Sequence, residues 1–193
     1  MAHRRPSRKK YAETIGEIAI EWNLLERKVN VLGFHYLGGD VEVASRILQS
    51  MGSQTREEFV GYLVRKFERD KQIAGFMSHL LRATSTLREN RNTILHASPI
   101  NLRASPFSTV THYHGELVKP HKHGHTMRFN VPIETLEDMM QSLRSFVAYA
   151  DAIAVCLIAP DDDGFEGGPS MRAAMKKTLD SSPAKPPLPR KID

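Results

Sequence analysis

The sequence predicts an all-α protein, an up-and-down helical bundle with an inserted β-hairpin and disordered termini. Three observations support this fold class. Apolar residues recur at spacings of three and four over long stretches, which is typical of helices with one buried face. One short stretch is β-rich and alternating, and both ends are basic or proline-rich. A length of 193 residues with 40% hydrophobic content suits one globular core.

The charge distribution, the single cysteine and the lack of a long apolar stretch are typical of a cytoplasmic protein. Net charge is +5, and the first ten residues carry five Lys or Arg and no acid, so the remainder is formally balanced. The single cysteine, Cys156, excludes an internal disulfide and lies in an apolar run, where a buried thiol is expected. The most apolar stretch, 147–159, contains Asp151 and is too short to span a bilayer. We expect a cytoplasmic protein that does not enter the membrane.

The first helix is predicted from Tyr11 onwards, after a disordered basic tail at 1–10. Its apolar positions form one continuous seam, and the pair Gly38-Gly39 is expected to end it. The seam residues are Ile15, Ile18, Trp22, Leu25, Val29, Leu32 and Tyr36.

Two shorter helices are predicted next. Asp40 can cap the second helix, whose apolar positions are Val41, Ala44, Ile47 and Leu48, and Gly52 is expected to end it. The third helix is predicted to begin at Thr55, because Thr55-Arg56-Glu57-Glu58 has the pattern of a capping box.

The fourth helix is predicted from about Lys71 to Ala97. Its seam residues Ile73, Leu80, Leu87 and Ile94 recur every seventh residue, with Met77 between the first two. The same repeat requires apolar residues at 84 and 91, but the sequence has Thr84 and Arg91 there. Pro99 disfavours helical geometry in the residue before it, so the helix should end near His96 to Ser98.

The remaining chain completes one predicted helical domain at 11–159. A β-hairpin is predicted within it at about 105–131, and a last helix is predicted from Pro132 with acidic residues in its first turns. The segment 160–193 is predicted to be a disordered proline-rich and basic tail.

Arg91, Asn92 and His96 are the candidate catalytic residues. A cation on an apolar seam needs a partner, such as Glu21 or Glu26, or a function, because burying an unpaired charge is costly. Alternatively, the three side chains only bind carbonyl groups at a helix end. The functional interpretation is RNA cleavage without metal: His96 takes the proton of a ribose 2′-hydroxyl and Arg91 stabilises the phosphate. A helix C-terminus raises the pKa of a histidine, which leaves less of the neutral base at pH 7 but favours His96 as a general acid.

The stretch "RNTILH" resembles the Arg-polar-x-x-x-His motif of HEPN-domain proteins. This resemblance implies a small helical bundle with the motif near the end of a late core helix. It also implies a metal-independent ribonuclease that needs no cofactor, forms a homodimer and acts in toxin–antitoxin or anti-phage systems, with an antitoxin protein as a possible partner. In that family pattern Arg91 and His96 are the catalytic pair and Asn92 supports them. The inserted hairpin, and Ala97-Ser98 in place of a tyrosine, depart from the pattern.

Two further groups of residues have predicted binding roles. The basic residues expected to contact RNA phosphate are Arg88, Lys119, Lys122 and Arg128. The hairpin also holds alternating histidines, which are either exposed polar residues or ligands of zinc or nickel: His112, His114, His121, His123 and His125.

Three functions therefore remain open. The first is a HEPN-like endoribonuclease in stress response or phage defence. The second is a non-catalytic helical module that binds RNA or a protein. The third is a metal-binding protein centred on the hairpin histidines.

Overall fold

The computed structural model describes residues 7–95, 98–99, 116–120, 126–158, 173, 177 and 185–192. For the three strands only the backbone is described. The elements in chain order are α1 Arg8–Leu37, α2 Val41–Gln49, α3 Ser53–Phe67, α4 Lys71–Leu95, β1 Ser98–Pro99, β2 Glu116–Pro120, β3 Thr126–Asn130 and α5 Ile133–Ile158. These five helices confirm a mainly α-helical fold, and none of them is long and apolar enough to cross a membrane.

Helix α1 follows the predicted seam and ends at the predicted glycines. Gly38 and Gly39 both have positive φ, at 64° and 71°, a conformation that costs other residues more than glycine. The helix begins at Arg8 rather than Tyr11. The predicted disordered tail at 1–10 therefore wrongly included residues 8–10, which belong to α1. The seam residues buried to 2% exposure or less are Ile18, Trp22, Leu25, Val29 and Leu32.

The predicted cap of α2 is confirmed, whereas that of α3 is wrong. The Asp40 carboxylate accepts a hydrogen bond from the Glu42 amide at 2.7 Å. Helix α3 begins at Ser53, with Gly52 as its N-cap residue and no side-chain cap. Because Gly52 is the N-cap residue, Thr55 is the third residue of α3 and lies inside its first turn.

The apolar seam that the sequence predicts for α5 is buried except at two positions, Met140 and Val147, which are half-buried. The predicted seam residues are Leu136, Met140, Leu143, Val147, Ala150, Ile153 and Leu157. Leu136, Leu143, Ala150, Ile153 and Leu157 of α5 are each at most 4% exposed. Cys156 is also buried, at 1% exposure. Helix α5 begins at Ile133, one residue after the start that was predicted at Pro132.

The insertion between α4 and α5 corrects the predicted fold class. The prediction of an all-α bundle with a lone β-hairpin is wrong, because the described strands form a three-stranded antiparallel sheet in the order β1-β2-β3. Ser98 and Pro99 of β1 pair with Val118 and Leu117 of β2. Strand β1 begins three residues after Leu95, the last residue of α4. The alternation pattern could not reveal β1, because it has only two residues.

The predicted disorder of the C-terminal tail is wrong for residues 185–192. This segment is neither helix nor strand, yet its main chain is bonded to side chains of α4. Proline-rich composition indicates that a segment has few apolar groups to bury. It does not reveal that polar side chains elsewhere can hold its backbone.

The chain divides into two compact units, and each of α1, α4 and α5 contributes residues to both. The first unit comprises Met1–Trp22, Thr86–Leu143 and Pro189–Asp193. In it, the Tyr11 hydroxyl donates to the Val131 carbonyl at 3.3 Å and Lys10 pairs with Glu137 at 2.8 Å. The second unit comprises Asn23–Ser85 and Arg144–Leu188. In it, Lys28 pairs with Asp151 at 2.5 Å.

Candidate functional site

The seam of α4 is buried along its length except at the position of Arg91. Its apolar members are at most 2% exposed: Ile73, Met77, Leu80, Leu87 and Ile94. Thr84 is also buried, at 1% exposure. It satisfies its hydroxyl by donating to the Leu80 carbonyl at 2.9 Å. Arg91 is only half-buried, so the seam reaches the surface at this residue.

The guanidinium of Arg91 is held by a neutral group. Its Nη1 donates a hydrogen bond to Asn92 Oδ1 at 3.0 Å. No carboxylate forms an ion pair with Arg91 among the residues that the structure describes. Because an amide oxygen carries no net charge, this contact orients the guanidinium without neutralising it.

One nitrogen of Arg91 is buried at a cost. Its Nε has no hydrogen-bond partner within the described ranges, and leaving a buried donor unsatisfied typically costs about 1–3 kcal/mol. An apolar residue at this position would avoid that cost. Buried polar groups without partners are uncommon in folded proteins and call for an explanation.

The expected partners of Arg91 are engaged elsewhere. Glu26 contacts Arg56 at 3.4 Å and also accepts a hydrogen bond from the Ser53 hydroxyl. Glu21 forms another interaction. The simple explanation of Arg91 as one half of a pair with Glu26 is therefore wrong.

The predicted partner of Arg91, His96, lies outside the described residues. Helix α4 is described as far as Leu95, so residue 96 follows its last described turn. Asn92 is half-buried in the same turn as Arg91. Of the three predicted catalytic residues, the structure brings Arg91 and Asn92 together, and the convergence of Arg91 and His96 stays a prediction.

The predicted RNA-contacting residues are described to different extents. Arg88 is half-buried on α4. In the sheet, Lys119 pairs in register with Met127 and Arg128 pairs with Val118. Lys122 lies outside the described residues, so a common surface for the four basic residues stays a prediction.

The five hairpin histidines at 112, 114, 121, 123 and 125 also lie outside the described residues. Within the described ranges, no group of three His, Cys, Asp or Glu residues is close enough to hold a metal ion. The metal-binding hypothesis therefore stays a prediction about segments on either side of β2.

Asn90, which was not among the residues predicted from the sequence, is a polar residue that is only 2% exposed. Its Nδ2 donates to the Arg190 carbonyl at 2.7 Å, and its Oδ1 accepts from the Ile192 amide at 2.9 Å. One side-chain amide thus binds the main chain on both sides of Lys191. A signal was present, because Asn90 stands three residues after Leu87 and four before Ile94, which is an apolar spacing.

His79, a second residue that was not predicted from the sequence, lies in the second unit. His79 Nε2 lies 2.8 Å from the Pro186 carbonyl oxygen, and because a carbonyl only accepts, Nε2 must carry the proton in this contact. The His79 ring lies 5.7 Å from the Phe146 ring and 5.8 Å from the Tyr149 ring, between ring centroids. Lys185 lies over the Phe76 ring, 5.4 Å from its centroid. These contacts hold residues 185 and 186 against an aromatic cluster.

Comparison of the chain with protein-family models, curated proteins and solved structures found no match. The resemblance to HEPN-domain proteins therefore rests on the sequence motif of Arg91, Asn92 and His96 and on the position of Arg91 and Asn92 near the described end of α4.

Proposed function

We propose that the protein is a metal-independent endoribonuclease of the HEPN type, which cleaves RNA by attack of a ribose 2′-hydroxyl on the adjacent phosphate. The observation that supports this proposal most strongly is the state of Arg91. Its guanidinium is half-buried on an apolar seam, oriented by the amide of Asn92 and paired with no carboxylate of the described residues. A charge kept in this way remains available to bind a phosphate group.

The proposed reaction uses Arg91 and His96 in different roles. The His96 imidazole takes the proton from the 2′-hydroxyl, whose oxygen then forms a bond to phosphorus. Arg91 stabilises the negative charge that develops on the phosphate oxygens. The bond to the 5′-oxygen of the next nucleotide breaks, and that oxygen receives a proton from the His96 imidazolium, which returns His96 to its neutral form. The products are a 2′,3′-cyclic phosphate and a free 5′-hydroxyl.

The biological setting in this proposal is a cytoplasmic stress or anti-phage response. The active form is a homodimer in which two motifs share a cleft, and an antitoxin protein is a possible partner. Sedimentation analysis of the purified protein tests the dimer.

The catalytic role of His96 is tested by an RNA cleavage assay in EDTA. We expect that His96→Ala lowers the cleavage rate by about 10²–10⁴-fold, the usual contribution of a general base or acid. The RNA fragments from the wild-type protein should carry 2′,3′-cyclic phosphate ends. Cleavage that requires added metal, or an unchanged rate in the folded His96→Ala protein, would contradict the proposal.

A second candidate function, a non-catalytic binding module, is favoured by a different observation. Asn90 binds a peptide backbone through both atoms of its amide. RNA or protein binding without any RNA cleavage that depends on His96 would support this alternative.

A further inference from the structure

We propose that Asn90 and Glu89 form a peptide-binding site for an extended basic segment, which residues 190–192 of the same chain occupy as a releasable ligand. This inference does not depend on ribonuclease activity. It concerns the first unit, where the described contacts between α4 and residues 190–192 lie.

The hydrogen bonds of Asn90 recognise the backbone and not a side chain. The two groups that it binds, the carbonyl of residue 190 and the amide of residue 192, are two residues apart and face the same amide. Extended chains place alternate residues on the same side. Asn90 is therefore suited to a segment that is extended around its middle residue.

The middle residue is recognised by its charge. Lys191 Nζ lies 3.0 Å from Glu89 Oε2. The two side chains are 63% and 46% exposed, so solvent screens this ion pair and its contribution is small. The charge favours a basic middle residue, and the buried amide of Asn90 provides the main attachment.

The geometry specifies which residues the site accepts. Residue 192 must supply an N–H group, which proline lacks. Residue 190 supplies only its carbonyl to Asn90, so proline is acceptable there. This difference allows a matched pair of variants in the segment itself, without any change to the helices.

We expect the segment to be released readily, because its attachment is small. It consists of two neutral hydrogen bonds and one solvent-exposed ion pair, which are individually weak contacts. A tethered segment nevertheless competes well, because its effective concentration at its own site is on the order of millimolar. A free peptide should therefore bind poorly to the wild-type chain and better when the tethered segment is weakened.

The test measures binding of a fluorescent peptide of residues 187–193, PLPRKID, to full-length chains by anisotropy. The chains are the wild type, Ile192→Pro and Arg190→Pro. We expect about twofold tighter binding to the Ile192→Pro chain, the gain that follows when the Kd of the peptide is close to the millimolar effective concentration of the tethered segment, because removal of its own competing N–H exposes Asn90. The Arg190→Pro chain should bind the peptide as weakly as the wild type.

Two controls complete the test. Adding Asn90→Ala to the Ile192→Pro chain should abolish the gain, and a peptide with proline in place of Ile192 should not bind. Circular dichroism checks that each chain is folded. Equal binding to the wild-type and Ile192→Pro chains, or a gain that survives Asn90→Ala, overturns the inference.

Discussion

The side-chain nitrogen Nδ2 of Asn90 lies 2.7 Å from the main-chain carbonyl oxygen of Arg190, which is 100 residues further along the chain. The contact joins a buried side chain of α4 to a segment that has no regular secondary structure. It shows that part of the proline-rich C-terminal region is held by specific hydrogen bonds.

This contact predicts a local pattern of amide hydrogen exchange. The Ile192 amide should exchange more slowly in the wild type than in an Asn90→Ala variant, because its N–H donates a hydrogen bond to the side chain of Asn90. Raising the salt concentration to 1 M should change the Ile192 rate less than twofold, because the exposed Lys191–Glu89 pair contributes little. NMR-detected exchange measures both rates. A large acceleration in salt would mean that the ion pair, and not Asn90, holds the segment.

The α4 seam illustrates how far the sequence alone could predict the fold. The seven-residue repeat identified Ile73, Leu80, Leu87 and Ile94 as buried, because burial in a helix follows its period. It did not identify four further buried residues of α4: Phe76, Ala83, Asn90 and Thr93. The same repeat did not reveal what Asn90 binds. Its partners are backbone groups of residues 190 and 192, and backbone groups are the same in every sequence.

The insertion and the start of α3 show a second limit. A two-residue strand such as β1 has no periodicity, and it forms because β2 offers it backbone partners. The capping box at Thr55 is a valid local pattern, but Gly52 starts the helix earlier. Strand β1 depends on its pairing with β2, and the start of α3 depends on Gly52. Neither of these residues or strands is part of the short pattern from which the prediction was made.

Arg56 is expected to contribute strongly to stability. Its guanidinium donates to the Leu48 carbonyl at 2.8 Å and to the Met51 carbonyl at 2.9 Å, and it pairs with Glu26 at 3.4 Å. The side chain is 13% exposed. Because hydrogen bonds from charged groups contribute about 1.5–3 kcal/mol each, Arg56→Ala should lower the free energy of unfolding by about 2–4 kcal/mol. Urea denaturation provides the measurement.

The matched control for Arg56 is Arg46, whose side chain is 78% exposed and pairs with Glu42 four residues earlier. Arg46→Ala should cost no more than about 0.5 kcal/mol. Similar losses in the two variants would show that the contacts of Arg56 with the α2–α3 connection are unimportant.

Gly33 is required by close packing. A Cβ atom at this position of α1 would lie 2.9 Å from Leu48 Cδ1 and 2.9 Å from Val60 Cγ2, and both side chains are fully buried. Overpacking typically costs about 1–3 kcal/mol, and the better helix propensity of alanine offsets up to about 1 kcal/mol. Gly33→Ala should therefore lower the midpoint of thermal unfolding.

Gly16 in the same helix is the control for Gly33, because nothing lies within 4 Å of a Cβ atom there. Gly16→Ala should raise stability by about 0.5–1 kcal/mol. A stabilising effect of both substitutions would show that α1 lies further from α2 and α3 than the structure indicates.

Tyr149 is expected to make the stability of the folded protein sensitive to alkaline pH. Burial raises the pKa of Tyr149 to about 12, against about 10 in an unfolded chain. Between these values the unfolded chain loses the phenol proton while the folded chain keeps it, so stability falls as the pH rises from about 10 to 12. A shift of this size corresponds to about 2–3 kcal/mol. Its hydroxyl has no partner among the described residues, so phenylalanine can replace the tyrosine.

Urea denaturation at a series of pH values tests this expectation. Tyr149→Phe should lose less stability than the wild type between pH 10 and 12, with little change at pH 7. Tyr62→Phe, at a residue that is 46% exposed, is the control and should follow the wild type. Parallel curves for Tyr149→Phe and the wild type would show that this phenol does not cause the alkaline loss.

The role of Arg91 is the central claim, and the cleavage rate of Arg91→Ala in EDTA tests it most directly. The assay uses a mixture of transfer, ribosomal and messenger RNA, with Arg82→Ala as the control, since Arg82 is an exposed arginine of the same helix. We predict that the wild type and Arg82→Ala cleave RNA equally and that Arg91→Ala is about 10²–10³-fold slower, while circular dichroism shows all three folded. An unchanged rate in Arg91→Ala, or no cleavage by the folded wild-type protein, would contradict the proposed function.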